Sequence, residues 1–264
     1  MNNLKIFQCE NSIDGIFTGI YQAWSSGYGH ANVKIEEQCE NNNYSNIELF
    51  SEYIIVRTDF DKAVKVSDSI KAKISEEAYE MVCRVALSDY QGKGDLIYRF
   101  LILGFHIGSK IVGHLSNQVV NSVFKLNRYV SGEAHHLLGF IRFSEQDNGI
   151  LTSIIHPKNN VLTLVTPHFA DRLPNEKFVI FDGNRNICSL HLPGRSWIIA
   201  EIPNISMADY EALADDEYED LWKIFFDNIA IKERINPKLQ RNNLPIRFRR
   251  NMIEFVHEKA NLLI

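Results

Sequence analysis

Pro167-His168-Phe169-Ala170-Asp171-Arg172 is a run whose residue types could do chemistry together. Helical spacing sets His168 and Arg172 one turn apart on a common face, with Asp171 beside them at i+3. A histidine near an aspartate and an arginine can perform general acid–base work or hold a phosphate. Glu133-Ala134-His135-His136 comes shortly before Arg142 and forms a second cluster. These six residues, His168, Asp171, Arg172, Arg142, His135 and His136, are the candidate catalytic set. His135 and His136 point about 100° apart on a helix, so they do not face one metal together. No compact set of three or four metal ligands exists, and neither a metal nor a bound cofactor is expected. The same clusters also fit a buried polar network that pins helix to sheet.

The charge pattern supplies a second candidate. Lys232 to Arg250 holds seven basic residues against one acid, Glu233, a local net of +6 in a chain of net −5. Just upstream, Asp209 to Asp220 holds seven acids and no base. Arg234, Lys238, Arg241, Arg247, Arg249 and Arg250, interleaved with Asn and Gln, suit contacts to phosphates, and Phe248 could add a stacking surface. A basic segment folded back on the acidic stretch accounts for the same pattern.

Several function classes fall away. With 45% apolar and 23% charged residues over 264 positions, the chain has the mix of an ordinary globular protein able to bury a core. The four cysteines, Cys9, Cys39, Cys83 and Cys188, form no Cys-x-x-Cys pair, which points to free thiols in a reducing cytoplasm. Met1 to Gln8 has no basic region leading into a long apolar run, so no signal peptide is expected. Leu96 to Leu115 is interrupted by Arg99, His106, Lys110 and His114, which fits a buried helix and no membrane. A Gly-x-Ser-x-Gly elbow, a Gly-x-Gly-x-x-Gly turn and a Gly-x-x-x-x-Gly-Lys loop are all absent.

The elements that must position these groups can be sketched from periodicity. Leu4 to Phe7 reads as a strand, and Ser12 or Asp14 caps a helix through Ile16, Phe17, Ile20 and Trp24. Tyr53 to Val56 reads as a further strand. Asp59, Ser75 and Asp95 are placed to cap successive helices in a helix-rich stretch, 59–138. Phe140 to Phe143 and Ile150 to Ile155 flank Asp147-Asn148-Gly149 as a hairpin, and Phe178 to Phe181 and Ile187 to Leu192 flank Asp182-Gly183-Asn184 as another. Leu162 to Leu173 is a helix, and Trp197 to Ile202 adds a strand, completing a hairpin sheet over 139–205. C-terminal helices follow over 206–264, where Leu221, Trp222, Phe225 and Phe226 lie on one stripe. The expectation is one α+β domain over 1–264, a mainly antiparallel sheet packed with several helices.

Asp14-Gly15, Thr58-Asp59, Gly139-Phe140-Ile141-Arg142-Phe143, the Pro167 to Arg172 string, Leu221-Trp222-Lys223, and Glu233-Arg234 through Asn236, Gln240 and Pro245 together resemble a bacterial family assigned to DNA repair and DNA metabolism. Its members are usually encoded beside a radical S-adenosylmethionine protein, and a similar domain is fused to uracil-DNA-glycosylase-like domains elsewhere. The resemblance covers about the whole chain. It implies a DNA-binding accessory protein acting with a partner enzyme, with DNA and a radical S-adenosylmethionine protein as partners. An enzyme acting on nucleic acid or a nucleotide through the His/Asp/Arg cluster is the alternative. Uracil excision is not implied, because the Gly-x-Asp-Pro segment is missing and only His156-Pro157-Lys158 is near the His-Pro-Ser loop. The Cys-x-x-x-Cys-x-x-Cys motif is also missing, so a partner would have to supply radical chemistry.

Overall fold

The computed structural model describes residues 4–38, 51–146, 149–201, 244–249 and 252. The chain divides into two compact units, Met1–Ser131 and Gly132–Ile264.

The first unit is built on three parallel strands. β1 (Leu4–Cys9) lies between β2 (Val33–Glu37) and β3 (Ser51–Ile55), with Ile6 opposite both Lys34 and Tyr53. α1 (Ile13–Ser25) carries the chain from β1 back to the start of β2, which makes that pair parallel. Its start is set by Ser12, whose hydroxyl accepts from Gly15 N at 2.9 Å. α2 (Phe60–Lys73) and α3 (Glu76–Ala86) begin the same way, with Asp59 accepting from Lys62 N and Ser75 from Ala78 N. α4 (Lys93–Ile107) packs on β2 and α3, and α5 spans Gln118–Phe140. Phe7, Phe17, Ile20, Ile35, Ile70, Val82, Ile97, Phe100 and Leu101 form one continuous core. Lys93–Gly113 is long and apolar enough to cross a membrane by length and composition, yet Ile97, Phe100 and Leu101 within it are fully buried in that core.

Asp95 does not cap α4. Gly92, in the left-handed region at φ 83°, takes that place, and the Glu37 carboxylate accepts from Gly92 N and Gly94 N. A side chain at Gly94 would put its Cβ 2.8 Å from Glu37 Oε1. Asp95 instead pairs with Arg99 at 3.1 Å.

The second unit holds a five-stranded sheet in the order β4 (Ser144–Glu145), β5 (Leu151–Ile155), β6 (Phe178–Asp182), β7 (Ile187–His191), β8 (Ile198–Glu201). Both expected hairpins pair antiparallel, β4 with β5 and β6 with β7, and β8 extends the sheet antiparallel to β7. β5 and β6, however, run parallel, because α6 (Leu162–Arg172) carries the chain back between them. The expected α+β fold with a mainly antiparallel sheet is therefore wrong. One sheet is wholly parallel and the other is mixed. Hairpin turns announce themselves in the residues that make them, and the helix between β5 and β6 is itself the mark of a parallel crossover, which the antiparallel expectation leaves out. Phe140 to Phe143 also differs from its expected strand. α5 continues through Phe140, and pairing begins only at Ser144. The C-terminal helices expected over 206–264 lie outside the described residues apart from α7 (Ile246–Arg249).

Candidate functional site

α6 starts after Val161 and buries Leu162, Val165, Thr166 and Phe169 against β6 and β7. That burial turns His168 and Arg172, one turn apart, outward to solvent. Pro167 removes the helical hydrogen bond that would reach back to Thr163, and the Thr166 hydroxyl donates to Leu162 O at 2.7 Å. Phe143 packs edge-on against Phe169 and Phe178, fixing the stretch that follows α5 onto the sheet side of the helix.

The result is a half-open cavity of about 460 Å³ whose walls include Arg142, Phe143, His168, Phe169, Arg172 and Leu173. Arg142 Nη1 donates to Gly139 O at 2.8 Å and to Ile141 O at 3.2 Å, so its guanidinium is tied to the end of α5. No carboxylate is among the described residues that line this cavity. Asp171 is exposed on α6 and does not line it. Adjacent helical residues lie about 100° apart, so the face that presents Arg172 turns Asp171 aside. The arrangement can bind an anion through two guanidiniums and an imidazole. Asp171, three residues after His168 on α6, is not among the residues that line the cavity with it.

The other cluster separates. His135 is exposed and His136 is half-buried, with its ring against Phe140 and Phe248 and its Nδ1 without a hydrogen-bond partner among the described residues. Neither lines the cavity. Glu133 is the structural member of that group. Buried, it accepts from Lys158 N at 3.1 Å, Asn159 N at 2.8 Å and Asn159 Nδ2 at 2.6 Å. It also stands 3.7 Å from Arg247, whose guanidinium lies over the Phe248 ring. Phe248 is buried and offers no stacking surface. Arg249 is half-buried, whereas Arg234, Lys238, Arg241 and Arg250 lie outside the described residues.

Sequence reasoning missed a second clasp on the segment after β5. Asp182, fully buried at the end of β6, accepts from Asn184 N at 3.0 Å and pairs with Arg185 at 2.9 Å. Arg185 and Asn184 in turn donate to Pro157 O, and Arg185 to Lys158 O. Burial pushes the Asp182 carboxyl above its ordinary range, with Arg185 opposing. Gly183 is needed there, since a Cβ would fall 2.7 Å from His156 Nε2. Asp182-Gly183-Asn184 is legible only as a turn; the basic Arg185 directly after it is the available signal of an ion-paired one.

None of the described thiols is shifted toward the thiolate, although Lys71 and Arg84 oppose the effect of burial at Cys83. Burial pushes Cys9 up to about 12, with Glu37 adding to it, and also raises Cys83 and Cys188. These three cysteines are free, and Cys39 lies outside the described residues. Among the described residues no three His, Cys, Asp or Glu side chains gather closely enough to hold a metal ion.

A family model described as a domain of unknown function, DUF4130, matches residues 91–254, more than half of the chain. The protein belongs to the DUF4130 family. The match takes in all of the five-stranded sheet, α6 and the cavity residues, so the cavity lies within the DUF4130 portion. No curated protein matches the chain.

Proposed function

We propose that this DUF4130 protein is a nucleic-acid-binding accessory protein of DNA repair or DNA metabolism, acting in the cytoplasm with a partner enzyme. The observation that carries the reading is the cavity walled by Arg142, His168 and Arg172, with no carboxylate among its described lining residues. Guanidiniums hold phosphate oxygens with two parallel hydrogen bonds and need no base contact, which suits sequence-independent positioning on a strand. The +6 stretch from Lys232 to Arg250 supplies further charge for the same purpose, although Arg247 within it is answered by Glu133. The resemblance to DNA repair proteins supports DNA as the nucleic acid and a radical S-adenosylmethionine protein as the partner. The alternative of catalysis through His168, Asp171 and Arg172 has less support, because Asp171 stands outside the cavity.

The test is a fluorescence anisotropy titration of labelled single- and double-stranded DNA with the wild type and with Arg142→Ala/Arg172→Ala. The double variant is expected to bind at least tenfold more weakly, to a similar degree across sequences. Equal affinity of the two proteins would overturn the reading.

A further inference from the structure

A second hollow lies wholly within the first unit, at the place where α4 stops. Gly108, at φ 76°, ends that helix and opens a 3₁₀ turn over Gly108–Gly113. Ile111 alone in the turn is fully buried, which pins the turn to the core and leaves Lys110 and His114 exposed. His114 N donates to Ile111 O at 2.9 Å, and Asn117 then starts α5 by accepting from Val119 N at 2.9 Å. The hollow is open, with a volume of about 610 Å³, and its walls include Glu77, Lys110, Val112, His114, Leu115 and Phe124. On α3 the neighbouring acids are answered, Glu76 by Lys71 at 3.2 Å and Glu80 by Arg84 at 2.8 Å. Glu77 has no ion-pair partner among the described residues, and neither have Lys110 and His114, although all three line one hollow.

We infer that this hollow binds a small zwitterion, an amino acid or short peptide whose ammonium and carboxylate are carried on an apolar body. The inference goes beyond the phosphate reading and is independent of it, since that reading rests on residues of the second unit. A simple anion meets repulsion from Glu77, and a simple cation meets it from Lys110. A wholly apolar molecule would strip water from both charged groups and return no hydrogen bond. A ligand of both signs answers each group, its carboxylate on Lys110 and its ammonium on Glu77. Val112, Leu115 and Phe124 provide the apolar surface for the body that joins the two charges, and Leu115 is left 39% exposed beside it. The volume falls within the range of small-molecule sites.

The experiment is a set of ligand-observed NMR titrations of the full chain with leucine and with leucyl-leucine, each free, N-acetylated or C-amidated. Glu77→Gln and Lys110→Met each remove one charge from the hollow. Both positions are exposed, so both variants are expected to fold, checked by circular dichroism. At least one free zwitterion should bind the wild type at millimolar concentration or below. Capping either of its ends should weaken binding about fivefold or more. Binding of leucine alone assigns a free amino acid, binding of leucyl-leucine alone a peptide, and binding of both the shared zwitterionic group. In Glu77→Gln the cost of N-acetylation should fall below about twofold while the cost of amidation persists, and Lys110→Met should show the reverse. If neither free zwitterion binds, or if the capped forms bind as well as the free ones, the inference is overturned. It is overturned equally if either variant keeps the wild-type preference for the end that its lost charge should hold.

Discussion

The two units differ in how their charge is distributed. In the first, cations meet carboxylates at short range: Lys62 with Asp59 at 2.8 Å, Arg84 with Glu80 at 2.8 Å, Arg99 with Asp95 at 3.1 Å and Lys71 with Glu76 at 3.2 Å. Its stability comes from the continuous apolar core, since exposed pairs of this kind contribute little. The second unit uses two buried carboxylates, Glu133 and Asp182, to tie down the segment after β5, and it gathers cations around a hollow. The difference teaches where to look for a ligand. Charge answered by a carboxylate stabilises the fold, whereas the cavity walled by Arg142, His168 and Arg172 has no carboxylate in its described lining, which is what supports the proposed phosphate contact.

The comparison breaks first at the core. Phe100→Ala, at a fully buried position of the first unit, should cost about 3–5 kcal/mol in chemical denaturation. A loss under about 1 kcal/mol would mean that the unit does not depend on this core. In the second unit the corresponding weak point is polar. Glu133→Ala leaves both nitrogen donors of fully buried Asn159 without their acceptor. At about 1–3 kcal/mol for each of the two lost hydrogen bonds, a loss of roughly 2–6 kcal/mol is expected. A neutral outcome would shift the stabilisation of that unit to apolar packing. Ser75→Ala should cost about 1 kcal/mol through the lost cap of α3, read from the same denaturation curves.

Asp182 sharpens the contrast through pH. Its folded-state value lies above the ordinary carboxylate range, so the native state holds the proton to higher pH than the unfolded chain does. Its contribution therefore favours folding at acid pH and is lost as pH rises through the folded-state value. Asp182→Asn should flatten that limb in a melting-temperature series between about pH 4 and 8. A limb unchanged in the variant would assign the dependence to other groups.

What can be read from the sequence follows physical lines. Caps at Ser12, Asp59 and Ser75 are legible because one side-chain oxygen and one backbone N–H decide them locally. α6 and the shared face of His168 and Arg172 are legible from helical spacing, and the same geometry sets Asp171 apart from them. β2 escapes notice although Val33 and Ile35 alternate with Lys34 and Glu36, since a five-residue strand without a hairpin turn gives little signal. The parallel sense of β5 and β6 is legible from the helix between them, since a strand–helix–strand run is a parallel crossover, and the antiparallel expectation gives the flanking hairpin turns too much weight. The Glu133 clasp joins residues 25 and 26 positions apart and cannot be seen from spacing at all.

Phosphate binding by the Arg142–His168–Arg172 cavity shows itself in the salt dependence of DNA affinity. Duplex DNA affinity is measured for the wild type and for Arg142→Ala/Arg172→Ala across a series of salt concentrations. Each lost phosphate contact should reduce the slope of log affinity against log salt by about 0.9, so the double variant should show a slope smaller in magnitude by about two. Arg172 is exposed, and its own replacement by Ala should change stability by no more than about 0.5 kcal/mol, which separates binding from folding. Identical slopes for the two proteins would contradict the account.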